Sequence, residues 1–350
     1  TYDVEIHAAS GEFRIAQPGD WPEERRVASP LRFSVREDGN TPPKIYVAAG
    51  DAVPHLVLDL NPQLASVALA RVEVVEWQTS AGRRRKGELF LPSDYIAGER
   101  YPLVVQTHGF APERFLMDGP FNSSAFAAQA LAARGIIVLQ MDYDRSFANS
   151  TSEGPEEMAA YEGAIDELDR EGLIDRERVG IIGFSRTVYQ VGYALTHSKY
   201  RFRAASLVDG IDAGYLQYLV FGPGDNVHLN GGEPFGKSLA VWLANSPSFQ
   251  LPNVRAPVRL EAHGCSEGIL GSWEWFAVLS ALGRPVELAY LPDAPHIVVR
   301  PREREGCERE LANWFSYWLG GAPSDAPEEE DEARRWDELR KKEEVSSIPD

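Results

Sequence analysis

Cysteine is scarce in this chain: Cys265 and Cys307 are the only two in 350 residues. That is too few for a disulfide framework or a cysteine-based metal site, and two reduced thiols are expected. No run of eighteen apolar residues occurs, so no segment has the hydropathy of a membrane-spanning helix. A charged-then-apolar leader and an initiator methionine are also missing. The chain opens at Thr1 in strand-like sequence and reads as a mature form or a piece of a longer polypeptide, its compartment left open between cytoplasm and periplasm. Positive charge is short as well: 35 Lys and Arg stand against 53 Asp and Glu, a net charge of -18. Such a surface repels phosphate backbones and anionic lipid, which argues against nucleic acid or a membrane as partner. Part of the deficit is local, since residues 322–350 hold 11 acidic and 5 basic side chains, and it reads as a solubility feature.

What is present is an ordinary globular composition, 43% hydrophobic and 25% charged, with room for a sizeable core. Over residues 1–70, short alternating stretches such as 2–7, 31–36 and 44–48 are broken by Gly and Pro about every ten residues, the mark of antiparallel sheet. From Val72 the pattern changes. A hairpin with a basic tip at Arg83 to Lys86 leads into the apolar strand 101–107, and strands then alternate with helices: helix 123–134, strand 135–141, helix 155–171, strand 179–182, helix 187–197, strand 204–208. After an irregular, aromatic-rich stretch from Asp212 to Pro252, read as a cap facing substrate, come strand 256–262, helix 269–282, strand 285–291 and helix 303–319. Alternation of this kind predicts an α/β fold with a mostly parallel sheet covered on both faces. Three regions are expected: 1–70 antiparallel, 71–320 α/β, and 321–350 a charged tail, solvated as a helix or disordered.

The segment Arg178 to Tyr189, RVGIIGFSRTVY, carries the chemistry. A buried strand ends in Gly183 and Phe184, Ser185 sits at the corner, and a helix starts after it, which lifts the hydroxyl out of the sheet. The usual G-x-S-x-G pattern is imperfect here, because Thr187 stands at the last glycine. In the α/β-hydrolase arrangement the acid and the histidine follow the serine in that order. Glu267, after the strand and turn VRLEAHGCSE, and His296, in PDAPH after the last strand, fill those places. His296 would take the Ser185 proton and Glu267 would orient the imidazole; Glu261 and Asp293 are the competing acids. Oxyanion donors are expected from the backbone N–H of Arg186 and from Gly109 and Phe110 after strand 101–107. His108 and His263 read as structural or shaping residues. The Arg186 side chain either contacts a substrate carboxylate or packs on the surface. No metal or cofactor is implied.

The blocks GELFLPSDY, PLVVQTHGF, MDYDRSF, GLIDRERVGIIGFSRT, HGCSEG and PDAPH together resemble the catalytic domain of the prolyl oligopeptidase family of serine peptidases, over about residues 72–319. The resemblance implies an α/β-hydrolase domain, and it makes residues 1–70 look like the last blades of a β-propeller whose remainder would precede this chain. GFSRT together with a glutamate acid is similar to one branch, the lasso peptide isopeptidases, which hydrolyse the isopeptide bond closing the macrolactam ring of a threaded peptide. The implied activity is hydrolysis of an amide bond in a constrained peptide. A general oligopeptidase or dipeptidyl or acylaminoacyl-type peptidase, a carboxylesterase, and a non-catalytic binding module are the alternatives.

Overall fold

The computed structural model describes the backbone of Val4–Ile6 and Phe13–Ile15 and residues 31–115, 127–264, 266–321 and 327–346, with side chains at 266–268, 327–329 and 342–346 outside the description. Two compact units are formed, Thr1–Glu37 with Thr41–Ala65, and Asp38–Asn40 with Ser66–Asp350.

In the smaller unit, β1 (Val4–Ile6) pairs antiparallel with β2 (Phe13–Ile15). A three-stranded sheet has the order β3 (Leu31–Asp38), β4 (Thr41–Ala49), β5 (His55–Asp59). The two-residue period places Leu31, Phe33 and Val35 on one side of β3, and all three are exposed.

The larger unit is built on an eight-stranded sheet. Its strands are β6 (Arg71–Gln78), β7 (Arg84–Leu91), β8 (Tyr101–Gln106), β9 (Ile137–Met141), β10 (Ile174–Phe184), β11 (Ala204–Val208), β12 (Val258–His263) and β13 (Val286–Leu291). They lie in the order β13-β12-β11-β10-β8-β9-β7-β6. Only β7 runs antiparallel to its neighbours; the other pairings are parallel.

Because successive side chains point to opposite faces, each apolar strand feeds two cores. Leu103, Val105, Ile137, Leu139 and Ile181 pack under α2 (Glu153–Arg170), α3 (Thr187–His197) and α7 (Ser266–Ala281). Val104, Val138 and Ile182 pack on the other face, under α1 (Ala128–Ala132), α8 (Pro301–Leu319) and α9 (Pro327–Ser346). Each such side chain, fully buried, favours folding by about 1.5–3 kcal/mol before chain entropy is charged against it.

Two expectations need correction. Arg84, Arg85 and Lys86 lie within β7 rather than at the hairpin tip, and Arg85 is drawn inward by an ion pair with the buried Glu157 at 2.9 Å. The stretch after β11 is not irregular throughout: it holds α4 (Tyr215–Phe221), α5 (Gly224–Leu229) and α6 (Leu239–Asn245), pinned by the buried Trp242. In the tail, Pro327–Ser346 is the helix α9, mostly solvent-exposed over its described side chains, with Trp336 buried against Trp314 at a ring separation of 5.4 Å. Residues 123–126 of the expected first helix, and Cys265, lie outside the described residues. Cys307 is buried and free. No described helix is long and apolar enough to cross a membrane.

Candidate active site

Strand β10 ends at Phe184, α3 begins at Thr187, and Ser185 between them has φ of 53°. A non-glycine residue holds the left-handed region only when its surroundings insist, and three bonds do so. The Ser185 N–H donates to the carbonyl of Val208 at 3.0 Å, and its own carbonyl accepts from Val188 and Ile211, each at 3.2 Å. Two glycines make room. A Cβ on Gly210 would stand 2.0 Å from the Ser185 carbonyl oxygen, and one on Gly183 would stand 2.8 Å from that of Thr187.

Thr187 accounts for the departure from the usual motif. Fully buried, its Oγ1 accepts the Phe184 N–H and donates to the Phe184 carbonyl, both at 2.9 Å. The hydroxyl clasps the corner where a glycine would only allow close packing.

Strand order brings His296, from the loop after β13, to Ser185: Nε2 lies 2.9 Å from Oγ. The ring stacks on Phe184 with centroids 4.8 Å apart and stays half exposed, reachable by substrate. On its far side Nδ1 lies 2.5 Å from Oδ2 of Asp209. Asp209 immediately follows β11 and is itself held at φ of 39°. Its N–H donates to the Glu261 carbonyl at 2.7 Å, and its Oδ1 accepts the His263 N–H at 2.9 Å. An alcohol, an imidazole and a carboxylate thus form one hydrogen-bonded line at the C-terminal ends of β10, β11 and β13, where open α/β sheets carry their sites.

Asp209 was missed in the sequence because chain order directs attention to the turn after β12. The signal was available: it follows a strand's C-terminal end just as Ser185 does. Glu267 occupies the first turn of α7, and its side chain lies outside the described residues. Of the competing acids, Glu261 is buried between Arg259 and His263, and Asp293 is used through its carbonyl, which accepts from Arg300 at 3.2 Å.

On the oxyanion side, the Gly109 N–H is committed to the carbonyl of Met141 at 2.9 Å, which leaves Phe110 as the candidate donor of that loop. His108 sets its ring edge-on to Phe184 at 5.1 Å. Burial first, then the neighbouring His296 and Arg145, lower its pKa to about 4, so it is neutral at physiological pH. The Arg186 side chain is engaged rather than offered to substrate: it pairs with Glu153 at 2.6 Å, Asn149 at 2.9 Å and Asp225 at 3.4 Å. Among the described residues no group of three or more His, Cys, Asp or Glu side chains could hold a metal ion.

No protein-family model matches the chain. It is similar to the lasso peptide isopeptidase AtxE2 of Asticcacaulis excentricus. The two are 28% identical over 316 residues, 83% of this chain and 44% of AtxE2. Dipeptidyl-peptidase 5 of Porphyromonas gingivalis is 25% identical over 257 residues, 69% of this chain and 37% of the relative. Among solved structures, AtxE2 isopeptidase in its apo form superposes with a TM-score of 0.75 at 24% identity, covering 91% of this chain and 50% of AtxE2. The uncomplexed Pyrococcus horikoshii acylaminoacyl peptidase gives 0.65 at 21% identity, covering 84% of this chain and 49% of the other. The chain spans about half the length, or less, of these relatives. The superpositions establish the α/β-hydrolase fold, and the structural neighbours are peptidases of the prolyl oligopeptidase family.

Proposed function

We propose that this chain is the catalytic part of a serine hydrolase that cleaves an amide bond in a constrained peptide, with the isopeptide bond of a lasso peptide as its substrate. The observation that carries this reading is the contact of His296 Nε2 with Ser185 Oγ at 2.9 Å, in a chain similar to AtxE2 over 83% of its length. Ser185 Oγ attacks the carbonyl carbon while His296 Nε2 takes its proton. The imidazolium so formed is stabilised by a carboxylate on Nδ1. Asp209 has that place in the geometry, and Glu267 is the acid that chain order supplies. The backbone N–H groups of Arg186 and Phe110 receive the oxyanion. His296 then protonates the departing amine, and water releases the acyl group by the same steps in reverse roles. Opening a macrolactam ring this way adds one water and no fragment leaves.

Selectivity for a ring over a linear chain comes from the shape of the cleft. The segment α4–α6, with Phe221, Phe235, Leu239 and Leu243 exposed, is the cap over it. The sheet β3–β5, with its exposed apolar face, is read as part of a β-propeller.

Incubation of the full-length protein with a lasso peptide, followed by mass spectrometry, tests the reading: a linear product heavier by one water is expected. The similarity to dipeptidyl-peptidase 5 favours a second reading, a peptidase on linear substrates. Cleavage of linear peptides with no opening of the ring would establish that one instead.

A further inference from the structure

Arg259, Glu261 and His263 occupy every second position of β12, so they share one face of the strand, and all three are buried. Arg259 donates to Glu261 at 2.6 Å and to Glu310 of α8 at 2.8 Å. Glu261 Oε1 lies 2.7 Å from His263 Nε2. His263 Nδ1 lies 3.3 Å from the carbonyl oxygen of His296 and 3.7 Å from Asp209 Oδ2. Acidic and basic groups therefore alternate in a row from Glu310 through Arg259, Glu261 and His263 to Asp209, the carboxylate that faces His296. Buried ion pairs seldom repay their desolvation, so a row of them aimed at the nucleophile points to a use beyond stability.

The protonation state of His263 follows from its neighbours. Nε2 faces a carboxylate, and Nδ1 faces a carbonyl and a second carboxylate. Both nitrogens must donate, which only the imidazolium can do. Burial opposes that charge, but Glu261 and then Asp209 outweigh it and raise the His263 pKa. Glu261 is in turn held down to about 2, Arg259 and His263 outweighing its burial. Cys307 of α8 also lies beside this row, its thiol kept neutral chiefly by burial, and on the β13 side the Tyr290 hydroxyl donates to the Gly264 carbonyl.

We propose that His263 is a positioning residue of the site: a buried imidazolium that holds Asp209 and the backbone of residue 296 from behind, so that His296 keeps Nε2 on Ser185. The inference rests on Ser185 and His296 being nucleophile and base. If His263 loses its proton, a ring lone pair faces an acceptor on one side: the backbone bond to Asp209 stays, but the ring's charge beside Asp209 and its hold on the carbonyl of residue 296 are lost. Reactivity of Ser185 should therefore fall at high pH as His263 loses its proton.

The test is the rate of fluorophosphonate labelling of Ser185 against pH in the full-length protein, with nitrogen-15 NMR of the histidine rings. In wild type the rate should fall along an alkaline limb, with the His263 ring carrying two protons at about pH 7, above the ordinary histidine range. His263→Gln should label roughly 10- to 100-fold more slowly, the scale of loss when a side chain that orients a functional ligand is removed, and lose the alkaline limb. Glu261→Gln, which keeps the ring and removes its counter-charge, should move that limb to lower pH. Should His263→Gln not fold, the Glu261→Gln shift and the wild-type ring decide. A labelled wild type whose His263 ring carries one proton, or variant profiles that superimpose on it, overturns the clamp alone. A wild type that takes no label overturns the nucleophile reading and the clamp with it.

Discussion

The guanidinium of Arg186 forks onto the carboxylate of Glu153, Nε to Oε1 at 2.9 Å and Nη2 to Oε2 at 2.6 Å. The residue after the nucleophile is thereby tied to the first turn of α2. Glu153 is fully buried and also receives the side-chain amide of Gln190 at 2.9 Å and the N–H of Asn149 at 2.8 Å. Arg186→Ala would strand that carboxylate, and a loss of about 3–5 kcal/mol is expected. Arg186→Lys, which keeps the charge without the fork, should lose less. Urea unfolding measures both; a loss under about 1 kcal/mol for the alanine variant, the scale of a surface pair, would sink the structural role.

Which carboxylate serves His296 is decided by two amide substitutions. Asp209→Asn favours the wrong tautomer of the imidazole, and peptide cleavage should fall by as much as roughly 10⁴-fold, the scale of an acid-to-amide change in a serine triad. Glu267→Gln should cost far less if Asp209 is the acid. The reverse ranking of turnover rates would give the role to Glu267, and Ser185→Ala supplies the floor for both.

At the elbow, Thr187→Val keeps shape but removes the hydroxyl that serves both polar groups of Phe184. A buried N–H left without a partner costs about 1–3 kcal/mol. Thr187→Ser, which restores the hydroxyl, should recover most of it. Thermal unfolding of the two variants side by side checks this, and equal midpoints would refute it.

Asp212 should make stability fall with pH. It is fully buried, and burial first, then the neighbouring Glu274, push its carboxyl up to about 7. A carboxyl whose folded pKa is raised is stabilising while protonated below its unfolded value near 4, and that contribution is lost as pH climbs toward 7. Asp212→Asn should be more stable than wild type at about pH 8 and lose that advantage at about pH 4. Denaturant midpoints at the two pH values measure it; a pH-independent difference would mean Asp212 is not the group responsible.

Much of the fold was legible because its signals are local. Apolar runs such as LVVQ and IVLQM, separated by stretches of helix length, announce buried strands joined by crossovers. Gly183, Phe184 and Ser185 announce a corner through the special conformation they need. In the tail, charge hid Trp336, whose burial depends on Trp314 of another helix. Arg84 to Lys86 misled because the inward place of Arg85 depends on Glu157 of another element.

The sequence by itself determined the order of strands and helices, the corner that exposes Ser185, and the place of His296 in the loop after the last strand, since each is set by residues within a few positions of one another. Only the tertiary structure decided that Asp209 stands behind His296, 87 residues away in the chain, that Arg186 turns to Glu153, and that His263 lies between two carboxylates. Those pairings depend on which strands become neighbours and in what register. Sheet order is settled by burial over the whole unit, so no short stretch of sequence contains it.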